Sequence, residues 1–271
     1  MSCNIIQHGL DGFGHQLYGL FSTLILHNIK NYNFRGDLFI NKQFKFDHVT
    51  QKEGEELKKY IGKVINNFIK DNTIDNVIIN KHIHSHEIYK IPDNYDLNTV
   101  YSIDNAYYFE KIGLSEEEKI IHNENINKFK KYFIENKYLP HNRLEKNSIV
   151  IHIRLGDAMN YNNWANEINE NNKQIYKAFN VFRNKYPTHK IYVHSNGNPE
   201  FLKDFEYTFF DKNTSVLQFL SDVINANIFI CSPSALSKVT TFFTKAEKII
   251  IPDNTKHSVN EKCIKISDFI N

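Results

Sequence analysis

The sequence predicts an α/β protein whose second half is a parallel sheet with helices on both faces. Three observations predict it. From Ser148 onward, short apolar runs alternate with amphipathic stretches of helical period, the pattern that builds parallel sheets covered by helices. The run 148–154 is apolar on most residues, as a strand buried on both faces must be. The 271 residues carry no internal repeat and no low-complexity linker, and suffice for one large domain or two of ordinary size.

In chain order, a short apolar strand over 4–7 runs into the glycine turn Gly9-Leu10-Asp11-Gly12-Phe13-Gly14. A helix follows from His15 to about Ile29, with Leu17, Leu20, Phe21, Leu24 and Ile25 on one face. Residues 37–40 read as a second strand. The stretch 53–69 reads as a helix with apolar positions Leu57, Tyr60, Ile61, Val64, Ile65 and Phe68. Residues 77–108 are strand-like and irregular. Ser115-Glu116-Glu117-Glu118 has the form of a capping box and opens a long helix towards Tyr138. Leu139-Pro140-His141-Asn142 breaks that helix just before an apolar strand, so domains are expected at 1–145 and 146–271.

The second half continues with the strand 148–154, a loop, and a helix over 169–186 stopped by Pro187. A strand at 190–194 leads through Asn196-Gly197-Asn198-Pro199 into a short helix at 199–205. After a strand at 207–210, Thr214 or Ser215 can cap a helix reaching Ala226. A strand at 228–231, the loop Ser232-Pro233-Ser234, a helix at 235–244 and a strand at 248–251 complete the series.

Composition narrows the partners. Net charge is +2 with no dense basic block, so no nucleic-acid partner is expected. Lysines such as Lys128, Lys130 and Lys131 sit at helical spacing and read as a solvated face. Only four of the 33 basic residues are Arg (Arg35, Arg143, Arg154, Arg183), against 36 Asn. Where Lys supplies most positive charge, each remaining Arg draws interest for its planar, bidentate fork. Cys3, Cys231 and Cys263 are far apart and form no C-x-x-C pair, which argues against a disulfide framework or thiolate metal site. The N-terminus lacks signal-peptide character, and the apolar stretch 17–26 is too short and too polar to span a membrane. A cytoplasmic location is the expectation.

In parallel sheets, ligands bind outside the carboxyl ends of the strands. Three loops are expected there: Arg154-Leu155-Gly156-Asp157, Ser195-Asn196-Gly197-Asn198 and Ser232-Pro233-Ser234. Hydroxyls and free N–H groups beside an Arg suit a diphosphate. Each loop is also ordinary turn chemistry. On a strand, His152 and Arg154 point to one side, with Ile151 and Ile153 opposite. An Arg ending so apolar a strand needs a partner; Asp157, after the Gly turn, is one.

The string His152-x-Arg154-x-Gly156-Asp157 resembles the signature of the fucosyltransferase superfamily of GT-B architecture, which includes α1,2-, α1,6- and protein O-fucosyltransferases. Gly12-Phe13-Gly14-His15-Gln16-Leu17 resembles that family's Gly-x-Gly-Asn-Gln-Leu. Ser195-Asn196-Gly197-Asn198-Pro199 stands where the family has a Ser-Asp-x-x-Pro-like loop. Residues 226–237 are similar to its late Ser-rich segment.

The resemblance implies a GT-B-like fold, two Rossmann-like domains facing a cleft, with the acceptor on the N-terminal side and a nucleotide sugar on the C-terminal one. It implies inverting, metal-independent transfer of fucose from GDP-fucose to a glycan or other hydroxyl acceptor, with no further cofactor. Arg154 would neutralise the departing diphosphate. His152, Ser195, Asn196, Ser232, Ser234 and Ser237 would approach nucleotide or phosphate, and Gly12 and Gly14 would border the cleft. His15, Asp11 and Asp157 are the candidates for general base. Three departures keep alternatives open: Leu155 replaces a second Arg found in many members, His15 replaces an Asn, and Asn196 replaces an Asp. The alternatives are a transferase using another nucleotide sugar and a non-catalytic sugar- or nucleotide-binding member.

Two further groups are weighed. His82, His84 and His86 alternate as if on one side of a strand, which suits a structural or acceptor-groove role better than a tetrahedral metal site. Aromatic residues over 101–109 and Trp164 are candidate sugar-stacking rings, though most aromatics belong to the core.

Overall fold

Four parallel strands form the sheet of the first unit, Met1–Tyr138. They are β1 (Asn4–Gln7), β2 (Asn33–Phe34), β3 (Ile78–Ile83) and β4 (Thr99–Ile103), in the order β2-β1-β4-β3. The computed structural model describes residues 3–7, 12–40, 45–47, 49–68, 78–83, 98–103, 115–160, 162–255 and 262–271. Gly9, Leu10 and Asp11 of the first turn, His84, His86 and the aromatics of 104–109 lie outside the described residues, as does the side chain of His82.

Helix α1 (Phe13–Lys30) is apolar nearly all round, so every residue from Phe13 to Leu26 except His15 is buried. It ends at Asn31, whose φ of 54° is the left-handed turn that closes helices. The strand expected at 37–40 is instead helix α2 (Gly36–Ile40). The pairing residues come earlier in the chain, at Asn33 and Phe34. The chain then turns at Gly36, where a Cβ would stand 2.4 Å from Ile65 Cγ2. The turn is held by a bidentate, buried Arg35–Asp37 pair at 2.9 and 2.8 Å.

Helix α3 (Gln51–Ile65) starts at Thr50, whose hydroxyl accepts the Glu53 N–H. Leu57, Tyr60, Ile61, Val64 and Ile65 are buried as their spacing requires. The helix stops at Ile65 rather than Ile69, and Phe68 continues in a turn with its ring stacked on Phe129 at 5.0 Å. The capping box at α4 (Glu116–Ile134) is formed in full: Ser115 Oγ accepts the Glu118 N–H, and the Glu118 carboxylate accepts the Ser115 N–H. The helix ends before Tyr138 because Asn136 turns inward and donates to the Tyr60 carbonyl at 2.8 Å.

The second unit, Leu139–Asn271, is one six-stranded, wholly parallel sheet. In chain order it runs β5 (Ser148–Ile153), α5 (Asn162–Lys185), β6 (Lys190–Ser195), β7 (Thr208–Phe210), α6 (Val216–Asn225), β8 (Ile228–Ile230), α7 (Ala235–Thr240), β9 (Lys248–Ile251), β10 (Cys263–Lys265) and α8 (Ile266–Ile270). The strand order is β10-β9-β8-β5-β6-β7. Ile149, Ile151 and Ile153 face Ile175, Phe179 and Phe182 of α5 and Phe269 of α8 in one core. His152, on the opposite side of β5, meets Phe219 of α6, the ring centroids 4.8 Å apart. Helices therefore cover both faces, the α/β class that the alternation predicts.

Three helical elements of this unit differ from expectation by more than two residues. α5 begins seven residues earlier, at Asn162, because an Asn-rich opening of poor helix formers hides it. The helix expected at 199–205 is a single 3₁₀ turn, Glu200–Leu202, closed by Leu202 N–H to the Pro199 carbonyl. Of the two expected caps of α6, Ser215 forms the bond, accepting the Gln218 N–H. α7 ends at Thr240 instead of Thr244: the Thr240 and Thr241 hydroxyls bond back to the Ser237 and Lys238 carbonyls, and the chain tightens into i→i+3 turns. β10 and α8 carry too little periodic pattern to be read from sequence.

Candidate functional site

β5 lies between β6 and β8, so the chain leaves it one way through α5 and later returns to its other side. That reversal makes the carboxyl end of β5 the switch point of the sheet, where a crevice opens between diverging connections. The loops after β5, β6 and β8 meet there.

The β5 and β6 loops are locked together. His152 pairs with His194 and Ile153 with Ser195 in register. One step beyond the ladder, Asn196 Oδ1 accepts the Leu155 N–H at 3.0 Å. Gly156 follows with φ of +63°, and a Cβ there would lie 2.6 Å from Asn196 Nδ2. Gly197 is equally confined, since a Cβ would stand 2.9 Å from Leu155 Cβ. Ser195 Oγ accepts the Gly197 N–H and shapes the turn. Arg154 thus leaves β5 into a loop fixed on both sides, with its side chain part-exposed. Asp157 starts in the 3₁₀ turn Gly156–Asn160, and its side chain lies outside the described residues.

The β8 loop closes the other side. Ser232 Oγ and His152 Nδ1 share a hydrogen bond of 2.7 Å. Ser232 N–H donates to Ser237 Oγ, and Ser237 N–H donates to Ser234 Oγ, the cap of α7. Ser232 is 1% exposed and Ser237 0%. Their hydroxyls build the loop, and of the three serines only Ser234 is part-exposed. α7 has six residues.

Beneath the loops runs a polar seam that sequence reasoning missed. His194 Nε2 lies 3.0 Å from Asp222 Oδ2, at ion-pair distance but off the hydrogen-bond axis. Arg143 grips the same carboxylate through Nε and Nη2, at 3.1 and 2.7 Å to Oδ2, and Gln218 donates to Oδ1 at 2.9 Å. The Arg143 guanidinium also stacks 3.6 Å above the Phe210 ring. Asp222 is fully buried; burial pushes its pKa up, but the close His194 imidazole and the bonds from Arg143 and Gln218 hold it below the ordinary carboxylate value. Burial lowers His194, against the raising effect of Asp222. His152 falls to about 3, through burial first and then the charges of His194 and Arg154. Both imidazoles are neutral near pH 7. The signal available in sequence was one residue: Arg143, among only four arginines.

In the first unit, β1 is the switch strand between β2 and β4, and Gly12 begins α1 beyond it. Gly12 pairs with Asp47 as an isolated parallel bridge, Gly14 is buried, and His15 stands part-exposed in the first turn. Gln16 is buried, donating to the Lys45 carbonyl at 2.7 Å, so it secures the adjoining segment. The structure thus gathers His152, Arg154, Ser195, Asn196, Ser232, Ser234 and Ser237 at one sheet edge, and Gly12, Gly14 and His15 at the edge of the other sheet. Among the described residues no group of three or more His, Cys, Asp or Glu is arranged to hold a metal, and no helix is long and apolar enough to cross a membrane. Trp164 is half-exposed on α5.

No protein-family model matches the sequence, and no curated protein matches it. Among solved structures, the chain is similar to NodZ α1,6-fucosyltransferase soaked with GDP-fucose, at 12% identity over 95% of this chain and 97% of that one, with a TM-score of 0.46. It is similar to fucosyltransferase NodZ from Bradyrhizobium at 15% identity over 95% and 97% of the two chains, with a TM-score of 0.45. NodZ co-crystallised with GDP gives 14% identity over the same shares and a TM-score of 0.42.

Proposed function

We propose that the protein is a glycosyltransferase that takes its sugar from a nucleoside diphosphate donor, with GDP-fucose the first donor to test and a glycan hydroxyl as acceptor. One observation carries the reading: Arg154 emerges at the switch point of the six-stranded sheet, in a loop fixed by Asn196 and beside the His152–Ser232 pair. A guanidinium held at that edge suits a diphosphate, whose two phosphates match its donor fork.

In the reaction, the acceptor oxygen forms a bond to the anomeric carbon as the bond from that carbon to the β-phosphate oxygen breaks. The electron pair leaves with the nucleoside diphosphate, and the acceptor proton passes to a base. Arg154 acts on the charge that grows on the leaving phosphate, which stabilises the transition state more than the bound donor. Neutral His152 holds Ser232 in place and adds no competing charge of its own. No metal is needed in this scheme. His15, Asp11 and Asp157 are the candidate bases.

A second reading, a nucleotide-sugar-binding protein without turnover, is favoured by one feature: Leu155 supplies no second guanidinium beside Arg154. Thermal-shift measurements with GDP, UDP, GDP-fucose and GDP-mannose rank the donors, and GDP release with and without acceptor separates enzyme from binder. The transferase reading expects stabilisation by a nucleoside diphosphate and acceptor-dependent release. Stabilisation with no release from any of these donors supports the binder instead.

A further inference from the structure

The exposed face of α3 forms one wall of an open pocket of about 390 Å³ in the first unit. Glu55, Lys58, Lys59, Gly62, Lys63 and Asn66 succeed one another at spacings of three, one, three, one and three, which lines them along a single helix face. The facing wall is Lys137 and Tyr138, and Ile40 of α2 lies beside Gly62. The lining brings four lysines against one carboxylate. Among the described residues no carboxylate pairs with Lys59, Lys63 or Lys137. Lysines late in a helix often serve its dipole, which accounts for Lys63 but not for Lys59 in the middle of α3 or for Lys137, beyond the last turn of α4.

The facing wall is fixed. Asn136 is buried and donates to the Tyr60 carbonyl of α3, while its own oxygen accepts the Tyr138 N–H at 3.1 Å. Tyr60 hydroxyl returns a bond to the Phe133 carbonyl at 3.1 Å. Through these bonds the Lys137–Tyr138 turn is held opposite the lysine face. The Tyr138 ring is 40% exposed, with Lys137 Nζ 5.1 Å from its centroid.

Gly62 forms the floor. Glycine inside a helix costs about 1 kcal/mol relative to alanine, and packing does not call for it here: an added Cβ would meet only Ile40 Cγ1, at 3.9 Å. A side chain at that position would project into the pocket.

We propose that this pocket binds a sugar bearing sulfate or phosphate groups, with Lys59, Lys63 and Lys137 on the anionic groups and the Tyr138 ring against the sugar face. Unpaired cations around a concave site concentrate anions, and an exposed aromatic beside them supplies an apolar platform. The inference stands apart from the donor site of the second unit.

The test uses the full chain with three probes: a heparin-derived tetrasaccharide for sulfate, glucose 6-phosphate for phosphate, and cellotetraose as the neutral control. Calorimetry should show one or both anionic sugars binding, weakening as salt rises, and no comparable binding of cellotetraose. Two variants follow, the double change Lys59→Glu with Lys63→Glu, and Gly62→Leu, which fills the floor. Each should lose about tenfold or more in affinity for the anionic sugar, the scale expected from reversing two contacting charges or blocking the site. Melting temperature and GDP binding should stay at the wild-type level or above. Absence of anionic-sugar binding by the wild-type protein overturns the proposal, as does equal binding of cellotetraose or unchanged affinity in either variant that melts like wild type.

Discussion

Asn196 accepts the Leu155 N–H through Oδ1 at 3.0 Å, and this bond ties the loop after β6 to the loop that carries Arg154. The Asn therefore works on the neighbouring loop. Asn196→Ala should weaken GDP binding about tenfold, the scale of one lost hydrogen bond to a part-buried backbone donor, while the melting temperature changes little. Calorimetry beside a thermal melt checks both. A variant that binds GDP like wild type would show that the clamp does not govern Arg154.

Gly156 combines φ of +63° with a Cβ position 2.6 Å from Asn196 Nδ2. Gly156→Ala brings both left-handed strain and a collision, and should cost about 1–3 kcal/mol. Urea unfolding measures it. In the Asn196→Ala background the side-chain collision is gone and only the Asn196 carbonyl, 3.3 Å away, still crowds the new Cβ, so the cost should fall towards that of the backbone conformation.

Asp222 holds His194, Arg143 and Gln218 at full burial. Asp222→Ala leaves the part-exposed guanidinium and the buried, neutral imidazole without their shared carboxylate and should destabilise the protein by about 1–3 kcal/mol. Asp222→Asn keeps the shape, and should fall between the variant and wild type. Chemical denaturation ranks the three.

His152 supplies a pH dependence. Its ordinary value of 6.5 falls to about 3 in the folded protein. Between those values the unfolded chain binds a proton that the folded chain refuses, so stability rises with pH across the window. Stability is thus complete above pH 6.5 and declines as pH falls towards 3. His194 is lowered as well and acts in the same direction. His152→Asn should flatten the acid side of the stability profile without abolishing its slope. An unchanged profile would mean that His152 is as easily protonated folded as unfolded.

The alternation of apolar runs made the second sheet legible, because strands buried on both faces must be continuously apolar. The capping box at Ser115 was equally plain, since its two bonds need only Ser and Glu three residues apart. Residues 37–40 misled because Asp37-Leu38-Phe39-Ile40 is apolar enough for a strand; its conformation follows from the Arg35–Asp37 pair and from Ile65 packed over Gly36. At the site, sequence could mark Arg154, Ser232 and Asn196 as loop residues at a sheet edge. It could not tell that Ser232 and Ser237 spend their hydroxyls inside the loop, which depends on His152 lying across from it. The Arg143–Asp222–His194 seam joins three separate segments, and only the folded sheet brings them together.

The central claim is that Arg154 carries the contact to the donor diphosphate, and calorimetric titration of GDP into wild type and Arg154→Ala tests it most directly. The account predicts that wild type binds GDP and that Arg154→Ala loses at least about tenfold in affinity, the scale of one charge-assisted contact, with an unchanged melting temperature. Equal GDP affinity in the two proteins would contradict it.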